Sequence, residues 1–427
     1  MKRPTSILAA ASATVAVALL AAGCSSGAGG GGSDDGSVTL TFWGSYGNGG
    51  NSTQQDALNK TLIPAFEKEN PGIKIEYVDI PYDDLLQKLT TSAAGGELPD
   101  LVRADLGWVP QLADLGVLVP LSDKLDGFQK LADATYPGSL STNLYDGKYY
   151  GLPLDTNTRV LITDQKALDA AGMSAPPATF ADVEKMADAL QGTGMSVFAD
   201  GGLGGWNLFP WMWSGGGEVT NDDLTKASGF LDGSKSVAAV QMLVDLYKKG
   251  QIPNLITGNQ GATGTSDGLP GGQYATILDG PWMKGIWSGQ YPDFQPIYAP
   301  VPAGDGGSVS VVGGEDIVLT NSSKNQDAAM KFIEFTQTEQ FQVEMAKTGQ
   351  MTVIPAFADQ QAAIDPYYET FSTQLKTAKS RLAIPQSSQV DTILNTELTP
   401  AFEGSTTVQD ALTKAAEQID ALLADGK

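Results

Sequence analysis

From residue 38 to residue 104 the chain alternates between two periodicities, and this constrains its fold more than any other feature. Val38-Thr39-Leu40-Thr41-Phe42-Trp43 repeats every second residue, as a half-buried strand does. A polar turn, Gly44 to Gly50, follows. Leu58, Leu62, Ile63 and Phe66 then fall on one helical face, which should stop near Asn70-Pro71-Gly72. Ile73 to Val78 reads as a second strand. Tyr82 to Ala94 reads as a second helix, carrying Leu85, Leu86 and Leu89, and Pro99 to Ala104 as a third strand. This β-α-β-α-β order implies a parallel sheet with right-handed crossovers. Ligands of such sheets sit beyond the carboxyl ends of the strands. That rule places Trp43 to Asn48, with Arg103, Asp105 and Trp108, beside a crevice.

Further on, Lys148-Tyr149-Tyr150-Gly151-Leu152-Pro153 and Arg159-Val160-Leu161-Ile162 read as strands around Asp155-Thr156-Asn157. Helices are expected over Phe180 to Leu190 and Val237 to Tyr247. Between them lies an aromatic stretch with Trp206, Phe209, Trp211 and Trp213. Gly258 to Gly272 reads as a long flexible loop. Tyr274 to Leu278 reads as a buried strand leading into Asp279-Gly280-Pro281-Trp282, where Pro281 suits a helix start. Val309 to Val312 and Ile317 to Thr320 read as strands flanking Gly313-Gly314-Glu315-Asp316. The remainder is mainly helical and ends in Val408 to Leu423. No internal repeat of the solenoid kind is present.

The amino-terminal residues have the three parts of an export signal. Lys2 and Arg3 are followed by the small and apolar run Ile7 to Ala22, too short for a comfortable span, and then by Leu20-Ala21-Ala22-Gly23-Cys24. This ending resembles the lipobox of bacterial lipoproteins, with Ala21 where a larger aliphatic residue is usual. Cys24 is the only cysteine, which argues against disulfides and for acylation of its thiol. Residues 1–23 are thus expected to be a signal peptide. Residues 24–37 would be a lipidated cysteine and a Gly/Ser tether. The expected location is the outer face of the cell membrane, held by the lipid alone.

With 427 residues in all and 41% hydrophobic content, the chain can build two cored domains beyond the tether. A net charge of −23 disfavours nucleic acid, whose phosphates need Lys and Arg. The absence of histidine removes Ser-His-Asp and Cys-His catalysis and His-based zinc sites. No phosphate-binding loop, nucleophile elbow or complete EF-hand loop is found, and no cofactor or metal is expected. A pair of carboxylates of the glycosidase kind stays open to a chain with 49 acidic residues.

Six stretches in this order, after a lipobox and tether, resemble the extracellular solute-binding proteins of ABC sugar importers, the class that includes maltose-binding protein. They are Phe66-Glu67-Lys68-Glu69-Asn70-Pro71-Gly72-Ile73-Lys74-Ile75, Leu98-Pro99-Asp100-Leu101, Tyr149-Tyr150-Gly151-Leu152-Pro153, Gly272 through Trp282, Val312-Gly313-Gly314, and Asp327-Ala328-Ala329-Met330-Lys331-Phe332-Ile333. The resemblance implies an α/β, two-lobed periplasmic-binding-protein-like fold. Each lobe is a sheet flanked by helices, and hinge strands cross near 153–158, 272–278 and 320–325. Residues 38–153 plus 274–322 would form lobe 1, and 154–273 plus 323–427 lobe 2. It implies a monomeric, non-enzymatic binder of a carbohydrate, closing on its ligand and docking on a membrane permease. A binder of a non-sugar solute such as a polyamine and an extracellular glycosidase are the alternatives.

A sugar has hydroxyl edges and apolar faces, so its site needs aromatic rings beside carboxylates or amides. Trp282, at a helix start, is the first aromatic candidate; the matching tryptophan of maltose-binding protein stacks on sugar, and a core position is the other reading. Trp43 and Tyr46 border the first strand-end loop. Trp206 and Trp213 share a helical face that Trp211 does not, so one or two of them are expected in the cleft and the rest in the core. Asp155 matches a ligand-binding carboxylate of the family by position, or else serves the turn. Asp105 could accept hydroxyl bonds or pair with Arg103. Gly314 allows close backbone approach or a tight turn, and Glu315 follows it. Gln386 matches a family stretch near the sugar. Asp391 stands where maltose-binding protein has a stacking aromatic, which argues against maltose itself.

Overall fold

The computed structural model describes residues 37–47, 52–258 and 261–425. Cys24, the export segment, the tether up to Gly36 and the end of the first turn lie outside the described residues. The strands are β1 (Val38–Gly44), β2 (Ile73–Asp79), β3 (Leu101–Asp105), β4 (Leu144–Tyr145), β5 (Lys148–Tyr149), β6 (Gly151–Thr158), β7 (Val160–Thr163), β8 (Ser196–Ala199), β9 (Tyr274–Asp279), β10 (Ile297–Ala299), β11 (Val311–Leu319) and β12 (Lys379–Ser380). β4 and β5 form a small hairpin. The others make two sheets, one ordered β12-β11-β3-β1-β2 with β6 also on β11, the other β10-β7-β9-β8.

The expected parallel unit is present. β1 pairs with β2 from Val38↔Ile73 to Gly44↔Asp79 and with β3 at Phe42↔Leu101, all in parallel. Its alternation does the sorting: Leu40 and Phe42 are fully buried, while Thr39 is exposed. The helix packed on them comes in three pieces, Ser52–Ala57, a π turn Leu58–Leu62, and Ile63–Glu69. Leu58, Leu62 and Phe66 meet Phe42 and the Phe332 ring of helix Gln326–Thr336 in one core. Each such side chain, fully buried, contributes about 1.5–3 kcal/mol. A second core gathers Leu161 of β7, Val197 of β8 and Leu278 of β9. Helices Gly205–Ser214, Ser234–Lys248, Ser387–Phe402 and Val408–Asp425 close it with Trp211, Leu243, Leu398 and Ile419.

The chain passes from the first sheet to the second at Arg159, between β6 and β7, one residue past the expected crossing. It returns between β10 and β11, not at 272–278. β9 pairs along its length with β7 and also with β8, inside the second sheet. Nor is 320–325 a crossing. Thr320 and Asn321 are tied to Asp100 and Val117, and Phe332 and Phe341 fill the first core. The third passage comes later, where Met351 and Thr156 exchange backbone hydrogen bonds at 3.0 and 3.1 Å. Residues 274–299 therefore belong with the second sheet and 323–346 with the first, the reverse of the expected lobe assignment.

Gly313-Gly314-Glu315-Asp316 is not a turn between two strands. It lies inside β11, antiparallel to β3 on one edge and β6 on the other. The register against β6 shifts between Glu315 and Asp316, and Gly314 has φ +133°. A Cβ there would lie 2.3 Å from the Asp155 carbonyl oxygen, so glycine permits a bulge that sequence periodicity reads as a break. The Gly258–Gly272 segment also departs from a plain loop: Thr265–Gly268 is a helical turn, and Ser266 accepts a 2.7 Å hydrogen bond from Trp287 Nε1. Among the described residues no helix is long and apolar enough to cross a membrane.

Candidate ligand-binding cleft

β3, β11 and β6 lie side by side, so their ends bring three carboxylates abreast: Glu315 is opposite Asp105 on one edge and Asp155 on the other. Arg103 stands on the same face of β3 as Asp105, two residues away. It does not pair with Asp105. Its Nη2 lies 2.9 Å from Glu315 Oε2, its Nε 3.7 Å from Asp155, and its Nη1 donates to Ser45 Oγ at 3.1 Å. Asp105 instead pairs with Arg381, at 2.6 Å, and accepts hydrogen bonds from Tyr82 Oη at 2.8 Å and the Gly107 N–H at 2.7 Å. Burial pushes the Asp155 carboxyl well above the usual range, the nearby Glu315 charge adds to this, and Arg103 opposes it.

Arg103, Arg381, Tyr82, Asp105 and Glu315 form one wall of a cavity of about 440 Å³. Trp206 and Trp282 form its aromatic part, with ring centroids 6.1 Å apart and planes 26° from parallel. Trp206 is pinned from behind. A Cβ on Gly313 would come within 2.6 Å of its ring and 2.2 Å of Asn157 Oδ1, so the strand must carry glycine there. The Arg159 and Arg381 guanidinium groups lie 5.4 and 5.8 Å from the centre of its ring. Arg159 is itself locked by Asp200, at 2.9 Å, and donates to the Trp206 carbonyl at 2.9 Å. Asp391 completes the wall, one carboxylate oxygen accepting the Gly205 N–H at 2.7 Å. Burial raises its pKa, against the Gly205 hydrogen bond and the Arg381 charge.

Of the residues singled out from sequence, Trp282, Trp206, Asp105, Gly314 and Glu315 line this cavity. Asp155 does not: it is 3% exposed and sits behind Arg103 as part of the ion cluster. Tyr46 is fully buried beneath the Arg103 guanidinium, 4.4 Å from its ring, and so supports the cluster from the core. Trp43 packs beside Ile80, Leu85 and Leu89 with Lys88 4.5 Å over its ring, away from the cleft. Trp213 is buried in the second core beside Phe209. Gln386 precedes helix Ser387–Phe402 at its N-cap position, without a side-chain capping bond and outside the cavity wall, while the next residue, Ser387, donates to the Gly107 carbonyl at 2.7 Å.

Sequence reasoning missed Arg381, Asn157, Gln350 and Tyr82 in the wall and Arg159 behind it. Only the proximity of Asn157 to Asp155 carried a signal. A larger cavity, about 740 Å³, opens between residues 136–139 and helices Ala358–Ile364 and Tyr368–Leu375. It contains none of the tryptophans and none of the arginine–carboxylate pairs, so the first cavity is the better candidate for recognition.

The bacterial extracellular solute-binding protein family matches residues 49–343. A lipoprotein of Streptomyces antibioticus is 29% identical over 338 residues, covering 73% of this chain and 69% of the relative. A maltooligosaccharide ABC transporter solute-binding lipoprotein of Streptococcus pneumoniae is 25% identical, covering 84% of this chain and 83% of the relative. A solved ABC transporter solute-binding protein from Thermotoga lettingae, bound with α-D-tagatose, superposes with a TM-score of 0.79 at 26% identity, over 91% of this chain and 100% of that one.

Proposed function

Because this chain belongs to the bacterial extracellular solute-binding proteins, we propose that it captures a carbohydrate, an oligosaccharide, and delivers it to the permease of an ABC importer. The observation that carries this reading is the Trp206–Trp282 pair set beside Asp105 and Glu315 in one cavity. The indoles offer flat apolar surface to a sugar face, and the carboxylates accept hydroxyl hydrogen bonds. The names of the maltooligosaccharide- and tagatose-binding relatives support it.

In this reading the two sheets with their cores are lobes, and ligand contacts to both shift the population toward a closed form. Asp105 and Glu315 reach the cavity from the first sheet, Trp206 from the second core, and Trp282 from a further cluster on the second sheet that includes Val160, Ile162 and Ile277. Cys24 carries the lipid, and the tether keeps the binder near its permease, raising its effective concentration there. The chain is a binder and not a glycosidase, and it works as a monomer.

The test is a titration of the purified protein with a panel of neutral oligosaccharides and with spermidine, followed by tryptophan fluorescence and melting temperature, with product analysis after long incubation. Saturable quenching or enhancement and a higher melting temperature with an oligosaccharide are expected. A response to spermidine alone, or the appearance of cleaved sugar, overturns the reading.

A further inference from the structure

We propose that the cleft selects an oligosaccharide bearing a protonated amine, and that Asp391 is the residue that determines this choice; the inference rests on the carbohydrate reading above. The first ground is charge. Both arginines in the cavity wall already have their charge paired, Arg103 with Glu315 at 2.9 Å and Arg381 with Asp105 at 2.6 Å. An anionic ligand would therefore meet no unneutralised cation in the wall. Asp391 forms no ion pair among the described residues, and so leaves the wall with a surplus negative charge. The overall charge of −23 biases long-range attraction the same way.

The second ground is hydrogen-bond inventory. Asn157 Oδ1 and Gln350 Oε1 are unpartnered acceptors on side chains each 3% exposed, and both residues line the same cavity. Buried acceptors without donors cost free energy that a ligand can return. The same wall holds two unpartnered donors, Arg103 Nε and Arg381 Nε, so the acceptors left for a ligand's donors are these two amide oxygens and the Asp391 carboxylate. A hydroxyl brings one donor, whereas an ammonium brings three donors and no acceptor. An ammonium also supplies the cation that a partly desolvated carboxylate lacks.

The competing explanation is that Asp391 only caps helix Gly205–Ser214 through the Gly205 N–H. Asp391→Asn separates the two, because the amide oxygen keeps that acceptor and loses the charge. The experiment is calorimetric titration of wild type and D391N at pH 6 with three probes: the glucosamine trimer, its N-acetylated form and maltotriose. The expected result is that wild type prefers the glucosamine trimer to maltotriose by about tenfold or more, and that D391N brings this ratio close to one. Should D391N fail to fold, salt provides the second measurement. Raising ionic strength must weaken wild-type binding of the glucosamine trimer more than that of maltotriose. Equal affinity for amine-bearing and neutral trimers, or a preference that survives D391N, overturns the proposal and leaves the carbohydrate reading intact. Failure of all three probes to bind overturns the proposal, while the carbohydrate reading falls only if the whole panel of neutral oligosaccharides also fails to bind.

Discussion

Trp206 and Trp213 share a face of one helix, yet only Trp206 lines the cavity. Seven residues of α-helix span about 10 Å, so a single face meets the cleft at one end and the second core at the other. Substitution should separate them. Trp282→Ala or Trp206→Ala is expected to cost about 2 kcal/mol of ligand binding with modest loss of stability, read by titration. Trp213→Ala should cost about 3–5 kcal/mol of folding stability, read by chemical denaturation. Asp316 gives a pH signature. It is 1% exposed, held by Asn143 Nδ2 at 2.7 Å and Thr142 Oγ1 at 3.2 Å, and burial pushes its pKa up from 3.8 to about 8. The folded state therefore binds the proton more tightly than the unfolded one. Its contribution to stability must fall as pH rises from about 4 to about 8. Asp316→Asn should flatten that part of the stability–pH curve; an unchanged curve would show that the carboxyl is ionised in the native protein throughout.

At the scale of elements, the strand β11 does most to assemble the site, since it brings Glu315 between Asp105 and Asp155 and lays Gly313 under Trp206. Gly314→Ala should cost at least about 1–3 kcal/mol from its φ of +133°, with the contact to the Asp155 carbonyl adding to this, and should lower both melting temperature and affinity. The elements with one dominant period were legible from the chain alone. β1, β2 and the helix Tyr82–Gly95 stand where alternation and helical spacing put them, because each has one buried face. β11 was not legible: paired along both edges and carrying a bulge, it is buried almost throughout and shows no alternation. The crossings at 272–278 and 320–325 were misplaced for a related reason. Which sheet a strand joins is set by its pairing partners, and no local signal records them. Of the site, the indoles and two of the carboxylates could be anticipated at strand and helix ends. Arg381 could not, because it meets Asp105 from 276 positions away.

In the whole molecule, the proposed anchor and tether precede a solute-binding body in which residues of both halves line one cleft. Cys24→Ser is expected to move the protein from the membrane fraction to the medium while leaving ligand affinity unchanged, as fractionation and titration would show. The most direct test of the central claim is calorimetric titration of a neutral oligosaccharide into wild type and Trp282→Ala in parallel, with both proteins shown to be folded. Saturable one-site binding by wild type and a loss of affinity of at least tenfold in the variant are expected. Equal affinity in the two proteins would place the sugar outside this cleft, and the absence of binding to any oligosaccharide would contradict the account outright.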